Sequence, residues 1–154
     1  MARQWAAALA IITTLLLGGC GNDYGVDQYG QKVAAERLDK QWLVLNYWAE
    51  WCGPCRTEIP ELNTLNEQLK GQSATVLGVN FDNLQGDELK SASEKLGIAF
   101  TVLAQNPAER FDLPRSEALP VTYIIDDQGK VREQLLGEQT AAGVQEKLQA
   151  LRGH

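Results

Sequence analysis

A chain of 154 residues with 14 Lys and Arg against 20 Asp and Glu, a formal net charge of −6, is a poor nucleic-acid binder, because no basic cluster is available to meet phosphates. The same shortage leaves no basic patch for anionic lipid heads. A zinc site wants about four Cys, His or carboxylate ligands, and beyond the Cys52, Cys55 pair the chain offers only Cys20 and His154, so neither a metal nor a cofactor is expected.

In chain order, Arg3 is the only charged side chain before Asn22, and a mostly apolar stretch, Ala6 to Leu17, leads into Leu17-Gly18-Gly19-Cys20. A positive n-region, an apolar h-region and small residues before a cut describe a secretory signal peptide. At about fifteen residues it is shorter than the roughly twenty that a spanning helix needs. The ending resembles a bacterial lipobox. That resemblance implies cleavage before Cys20, a diacylglycerol thioether on its sulfur and an acylated amino terminus. Residues 1–19 are then a leader, 20–30 a lipidated tether and 31–154 the folded domain. Several acyl chains on one residue anchor stably to a membrane. An unmodified thiol behind an ordinary signal peptide, and an uncleaved anchor, are the alternatives. Gly21 after the acylated position, by resemblance to enteric lipoproteins, favours the outer membrane over the inner, with the domain facing the periplasm.

Cleavage leaves 135 residues and a formal charge of −7, since Arg3 departs. That length suits one domain with one core. Gln31 to Val33 reads as a short strand and Ala34 to Asp39 as a turn of helix. Trp42 to Ala49 is a nearly continuous apolar run, as in a strand buried on both faces. Ile59, Leu62, Leu65 and Leu69 stripe a helix that stops at Gly71, with Pro60 expected to kink it. Ala74 to Phe81 is the next strand. Leu89, Ala92 and Leu96 mark a second helix ending at Gly97. Ala99 to Leu103 reads as a strand, and Asn106-Pro107 starts a short helical turn. Val121 to Ile125 and Lys130 to Leu136 flank the turn Asp126-Asp127-Gln128-Gly129 as a hairpin. Thr140 caps a last helix carrying Val144, Leu148 and Leu151. The alternation predicts an α/β fold, a mixed central sheet with helices on both faces.

Trp51-Cys52-Gly53-Pro54-Cys55 sits where the apolar strand ends and the first long helix begins. At a helix N-terminus, unpaired N–H groups and the partial positive charge stabilise a thiolate, and a thiolate attacks disulfides where a thiol does not. Pro54 suits the first turn, where its missing N–H has no partner to lose. A purely structural disulfide closing so short a loop would remove little entropy from the unfolded chain. Spacing and placement therefore point to a dithiol–disulfide exchanger.

The pentad, the strand before it, Ala118-Leu119-Pro120-Val121-Thr122 and the closing hairpin plus helix resemble the thioredoxin superfamily. The closer likeness is to its TlpA/ResA-like branch of membrane-tethered bacterial thiol–disulfide oxidoreductases. Gly30-Gln31-Lys32-Val33 resembles that branch's N-terminal hairpin, Thr57-Glu58-Ile59-Pro60-Glu61-Leu62 its first active-site helix, and Gly86 to Gln105 its inserted helix and strand. The resemblance covers roughly residues 28–152. It implies a redox-active disulfide between Cys52 and Cys55, with Cys52 the exposed nucleophile and Cys55 the resolving thiol. Pro120 matches the family's cis-proline, and Leu119 before it is the residue whose backbone pairs with substrate. Trp51, Gly53 and Pro54 complete the implied substrate-binding surface, and Trp48 is expected in the core. Cytoplasmic thioredoxins carry a buried Asp where this chain has Asn46, which cannot take a proton at neutral pH. The branch instead places a Glu three residues after the second Cys. Glu58 matches that Glu and is the implied acid/base for Cys55, while Glu50 and Glu61 read as surface charges.

Gly-Pro between the cysteines is the dipeptide of reducing thioredoxins, near about −270 mV, and resembles little the strong oxidants near about −120 mV. The expectation is a reductase of disulfides in exported proteins, including apocytochromes c awaiting haem, recharged by a membrane thiol reductant of the DsbD/CcdA kind. A disulfide-donating oxidase on the same fold, a related peroxidase and a redox-inert binding lipoprotein are the rival readings. The peroxidase lacks support because the usual Thr-x-x-Cys surroundings are absent.

Overall fold

The computed structural model of the chain describes residues 23–153. The segment expected to be a leader, Cys20, the expected lipidation site, and His154 lie outside the described residues. The elements in order are α1 (Ala35–Leu38), β1 (Trp42–Trp48), α2 (Gly53–Gln68), β2 (Ala74–Asn80), α3 (Gly86–Lys95), β3 (Thr101–Leu103), β4 (Val121–Ile125), β5 (Val131–Leu136) and α4 (Ala141–Arg152). The strands form one five-stranded sheet in the order β3-β2-β1-β4-β5. β1 runs parallel to β2, and β2 to β3, each joined by a crossover helix, whereas β4 is antiparallel to both β1 and β5.

β1 lies at the centre, and all its residues are buried, which explains its unbroken apolar character. Alternate side chains serve different layers. Val44 and Trp48, with Val76, Val102 and Ile124, meet Ile59, Leu62 and Leu65 of α2, Leu89 and Ala92 of α3, and Val144 and Leu148 of α4. Leu43, Leu45 and Tyr47, with Leu77, Val79, Tyr123 and Ile125, meet Val33, Ala35, Leu38 and Phe111 instead. Three long helices thus cover one face, while the single turn of α1 and the loop before β4 cover the other. Thr140 caps α4 through Gly143 N–H at 3.1 Å. α2 runs through Pro60 as one helix.

One expectation of the fold's margins changes. Residues 23–30, expected as tether, belong to the folded unit. Tyr24 N–H donates to Val33 O and Val33 N–H to Gly25 O, each at 2.9 Å, closing an antiparallel hairpin, and Tyr24 and Gln28 are buried. Its polar composition conceals this because Gln28 is buried through hydrogen bonds rather than apolar area. Its Nε2 donates to Phe100 O at 3.0 Å and its Oε1 accepts from Val102 N–H at 2.8 Å, so the side chain pairs with the segment at β3 much as a strand would. The helical turn expected after Asn106-Pro107 is present as a single turn, in which Phe111 N–H donates to Pro107 O at 3.3 Å. Asn106 Oδ1 does accept Ala108 N–H at 3.0 Å, but Asp112 adopts a left-handed φ of 48° and Pro114 follows, so no helix propagates.

Candidate active site

Cys52 is the N-cap of α2, in extended conformation, and Pro54 lies in the first turn. Its Sγ accepts Cys55 N–H at 3.2 Å, so a free amide of the first helical turn already points at the sulfur. Cys52 and Cys55 are joined in a disulfide with Cα atoms 5.3 Å apart. The expectation of an exposed Cys52 needs correcting: it is 4% accessible, against 0% for Cys55. The N-cap turn and the bond to Cys55 fold its side chain inward, against the apolar layer beneath α2. Trp51, Gly53 and Pro54 are exposed and ring the sulfur pair.

Trp51 is 64% exposed, yet held. Its Nε1–H donates to Asp82 Oδ2 at 2.9 Å, and its ring meets Phe81 edge-on at 6.3 Å between centroids. Phe81 N–H in turn donates to Trp48 O at 2.8 Å, fixing the end of β2 beside the end of β1. Trp48 itself is buried in the core, as expected.

One turn after Cys55, on the same face of α2, Glu58 is 1% exposed. Oε2 accepts from Asn46 Nδ2 at 2.9 Å, and Oε1 accepts the backbone N–H of Gln139 at 3.1 Å. Asn46 Nδ2 also donates to Thr122 Oγ1 at 3.0 Å. Burial pushes the Glu58 carboxyl up to about 7, against the opposing pull of those donors. A carboxyl with that value exchanges its proton readily near neutrality.

Leu119-Pro120 is a cis peptide. Pro120 O accepts Gly137 N–H at 2.9 Å, anchoring the segment to the end of β5, while half-buried Leu119 packs against the apolar layer that includes both cysteines. Glu50 and Glu61, read as surface charges, are exposed or nearly so but engaged. Glu50 pairs with Lys95 at 3.1 Å, and Glu61 Oε2 accepts Ala141 N–H at 2.9 Å, capping α4. Asp82, Phe81 and Gln139 escape sequence reasoning, because each comes from another element and none sits in a motif, while Thr122 lies in the cis-proline motif without a role that the motif assigns.

A profile of the AhpC/TSA family matches residues 19–134. The chain belongs to that family. Thiol-disulfide oxidoreductase ResA of Bacillus thuringiensis (strain Al Hakam) is 30% identical over 114 residues, 74% of this chain and 65% of that protein. The matched stretch thus spans a little under two thirds of that relative's length. ResA of Geobacillus kaustophilus is 29% identical over 141 residues, 91% of this chain and 80% of that protein. The crystal structure of a DsbF homologue from Corynebacterium diphtheriae has the same fold, with a TM-score of 0.69, 24% identity and 82% of each chain covered. The chain is thus similar in sequence to ResA thiol-disulfide oxidoreductases and shares the fold of the DsbF homologue. No helix among its described residues is long and apolar enough to cross a membrane.

Proposed function

We propose that the protein is a thiol–disulfide oxidoreductase that reduces disulfides of exported proteins. The observation that carries this reading is the Cys52–Cys55 disulfide at the N-terminus of α2 with buried Glu58 one turn behind it. In the reduced protein, the Cys52 thiolate, stabilised by the helix N-terminus, attacks one sulfur of a client disulfide and expels the other as a thiolate. Cys55 then attacks Cys52 Sγ, breaking the mixed disulfide and forming the Cys52–Cys55 bond. The client gains two electrons and the protein loses them. The Cys55 proton passes to Glu58 and then, through solvent, to the released client thiolate.

Trp51, Gly53 and Pro54 form the rim on which the client lands, and Leu119 ahead of cis Pro120 offers its backbone to the client chain. Clients include apocytochromes c. Electrons return from a membrane thiol reductant of the DsbD/CcdA kind. Lipid on Cys20 holds the domain at a membrane facing the periplasm, with the outer membrane favoured over the inner.

The midpoint potential of the Cys52–Cys55 couple in the chain, measured against a glutathione or dithiothreitol series, tests the direction. A value near or below about −250 mV supports a reductase, and one above about −150 mV makes it a disulfide donor. A couple with no reversible two-electron transition would overturn both. Cys55→Ala should accumulate a client–Cys52 mixed disulfide, because nothing remains to resolve it.

A further inference from the structure

The side-chain amide of Asn46 is wholly buried and only half used. Nδ2 donates twice, to Glu58 and to Thr122, whereas Oδ1 has no hydrogen-bond partner among the described residues. An amide atom left unpaired inside a protein is costly in either orientation, and turning the amide moves that deficit from Oδ1 to Nδ2, so the groups on the paired side decide between them. The amide is close to symmetric in shape, so half a turn about its last bond exchanges Oδ1 with Nδ2. Oδ1 would then stand at hydrogen-bonding distance from Glu58 Oε2 and Thr122 Oγ1.

Which orientation is favoured depends on the carboxyl. An ionised Glu58 only accepts, and it calls for Nδ2. A protonated Glu58 donates from Oε2, and it calls for Oδ1, to which the Thr122 hydroxyl can donate as well. The proton belongs on Oε2, because Oε1 faces the Gln139 N–H, a donor with no lone pair to offer. The other groups around this carboxyl are Thr122 on β4 and Glu138 in the loop before α4, with Cys55 one turn back on its own helix.

We propose that Asn46 is a positioning residue whose side-chain amide turns over as Glu58 gains and loses its proton, donating through Nδ2 to the carboxylate and accepting through Oδ1 from the carboxyl. This rests on the proton-transfer role given to Glu58 above. When Cys55 Sγ gives up its proton, the proton comes to rest on Glu58 Oε2 with Asn46 Oδ1 as its acceptor. When the proton leaves for solvent, Nδ2 returns. No electrons move in either step. The Gln139 contact lies on the other oxygen, so Glu58 changes charge without changing place. An Asp at position 46 would instead set two carboxylates side by side.

NMR of the full-length chain, labelled with 13C and 15N, tests this directly. The Glu58 carboxyl carbon reports its protonation, and the nuclear Overhauser effects from the Asn46 Nδ2 protons to the Thr122 side chain report amide orientation. Between about pH 8.5 and about pH 5.5, on either side of neutrality, those effects should weaken several-fold, with the midpoint of the Glu58 carbon. In Glu58→Gln they should not vary with pH. Constant effects in the native chain while the Glu58 carbon titrates would overturn the switch and leave the exchange function standing. Failure to exchange disulfides with a working switch would instead overturn the function.

Discussion

The carboxylate of Glu58 accepts the backbone N–H of Gln139 through Oε1 at 3.1 Å, tying the helix that carries the cysteines to the loop that opens α4. The bond joins positions far apart in sequence, and the carboxyl that makes it is buried. Burial lifts its pKa from 4.5 to about 7 in the folded chain. Between those values the folded state holds a proton that the unfolded state has released. The contribution of Glu58 to stability is therefore complete below about pH 4.5 and is lost as pH rises through about 7. We expect Tm to fall by roughly 5 °C across that interval relative to Glu58→Gln, in which this slope is absent. Thermal scans of both proteins by circular dichroism at several pH values check it.

One turn further along α2, Glu61 Oε2 accepts Ala141 N–H at 2.9 Å, at the start of α4. It serves as a cap supplied by a different helix, beside the Thr140 cap on Gly143. Glu61→Ala should destabilise the fold by about 1 kcal/mol, while Glu61→Gln, which keeps an acceptor oxygen, should lose less. Urea denaturation midpoints of the two variants decide this.

Gly78 in β2 lies against the Phe100 ring, the Trp48 Nε1 and the Val102 side chain, which a Cβ there would meet at 3.0, 3.1 and 3.1 Å. All three neighbours are buried and have little room to retreat. Gly78→Ala should therefore destabilise the protein by about 1–3 kcal/mol, with no change in the exposure of the cysteines. Equilibrium unfolding measures the loss.

Asp82 holds the indole of Trp51 at the surface. Asp82→Ala should leave stability within about 0.5 kcal/mol, as for most exposed substitutions. The Trp51 indole proton should nevertheless exchange with solvent faster and shift upfield. An unchanged indole resonance would mean that the edge-on Phe81 contact alone fixes the ring.

The α/β alternation and the placement of the cysteines were legible because each rests on local pattern, whereas the carboxyl behind them was legible only through the family resemblance. The unbroken apolar run of β1 marks a central strand, the leucine stripe of α2 marks its buried face, and Cys52 to Glu58 lie within two turns of one helix. What escaped depends on encounters between distant elements. Gln28 is a polar residue buried by main-chain partners near β3, so composition alone reads it as tether. The near burial of Cys52 comes from how the N-cap turn folds back on the core. Asp82 and Gln139 reach the site from the end of β2 and the loop before α4, and neither has a spacing that announces it. The turn after Pro107 was legible for a local reason too: a cap and a proline start it, and the left-handed Asp112 and Pro114 keep it to one turn.

The pairing of Gln28 with β3 also bears on how copies of this chain behave towards one another. A terminal strand of a sheet normally presents a row of free amides and carbonyls on which another molecule can grow. Here Val102 O accepts Gln28 N–H at 3.0 Å and Ala104 N–H donates to Val26 O at 2.9 Å, in addition to the side-chain bonds of Gln28. The hairpin of residues 24–33 thus acts as a selvedge along that margin of the sheet. Trimming it away would leave an adhesive border, and the shortened chains would stack edge to edge into aggregates even though the residues around the sulfurs were untouched.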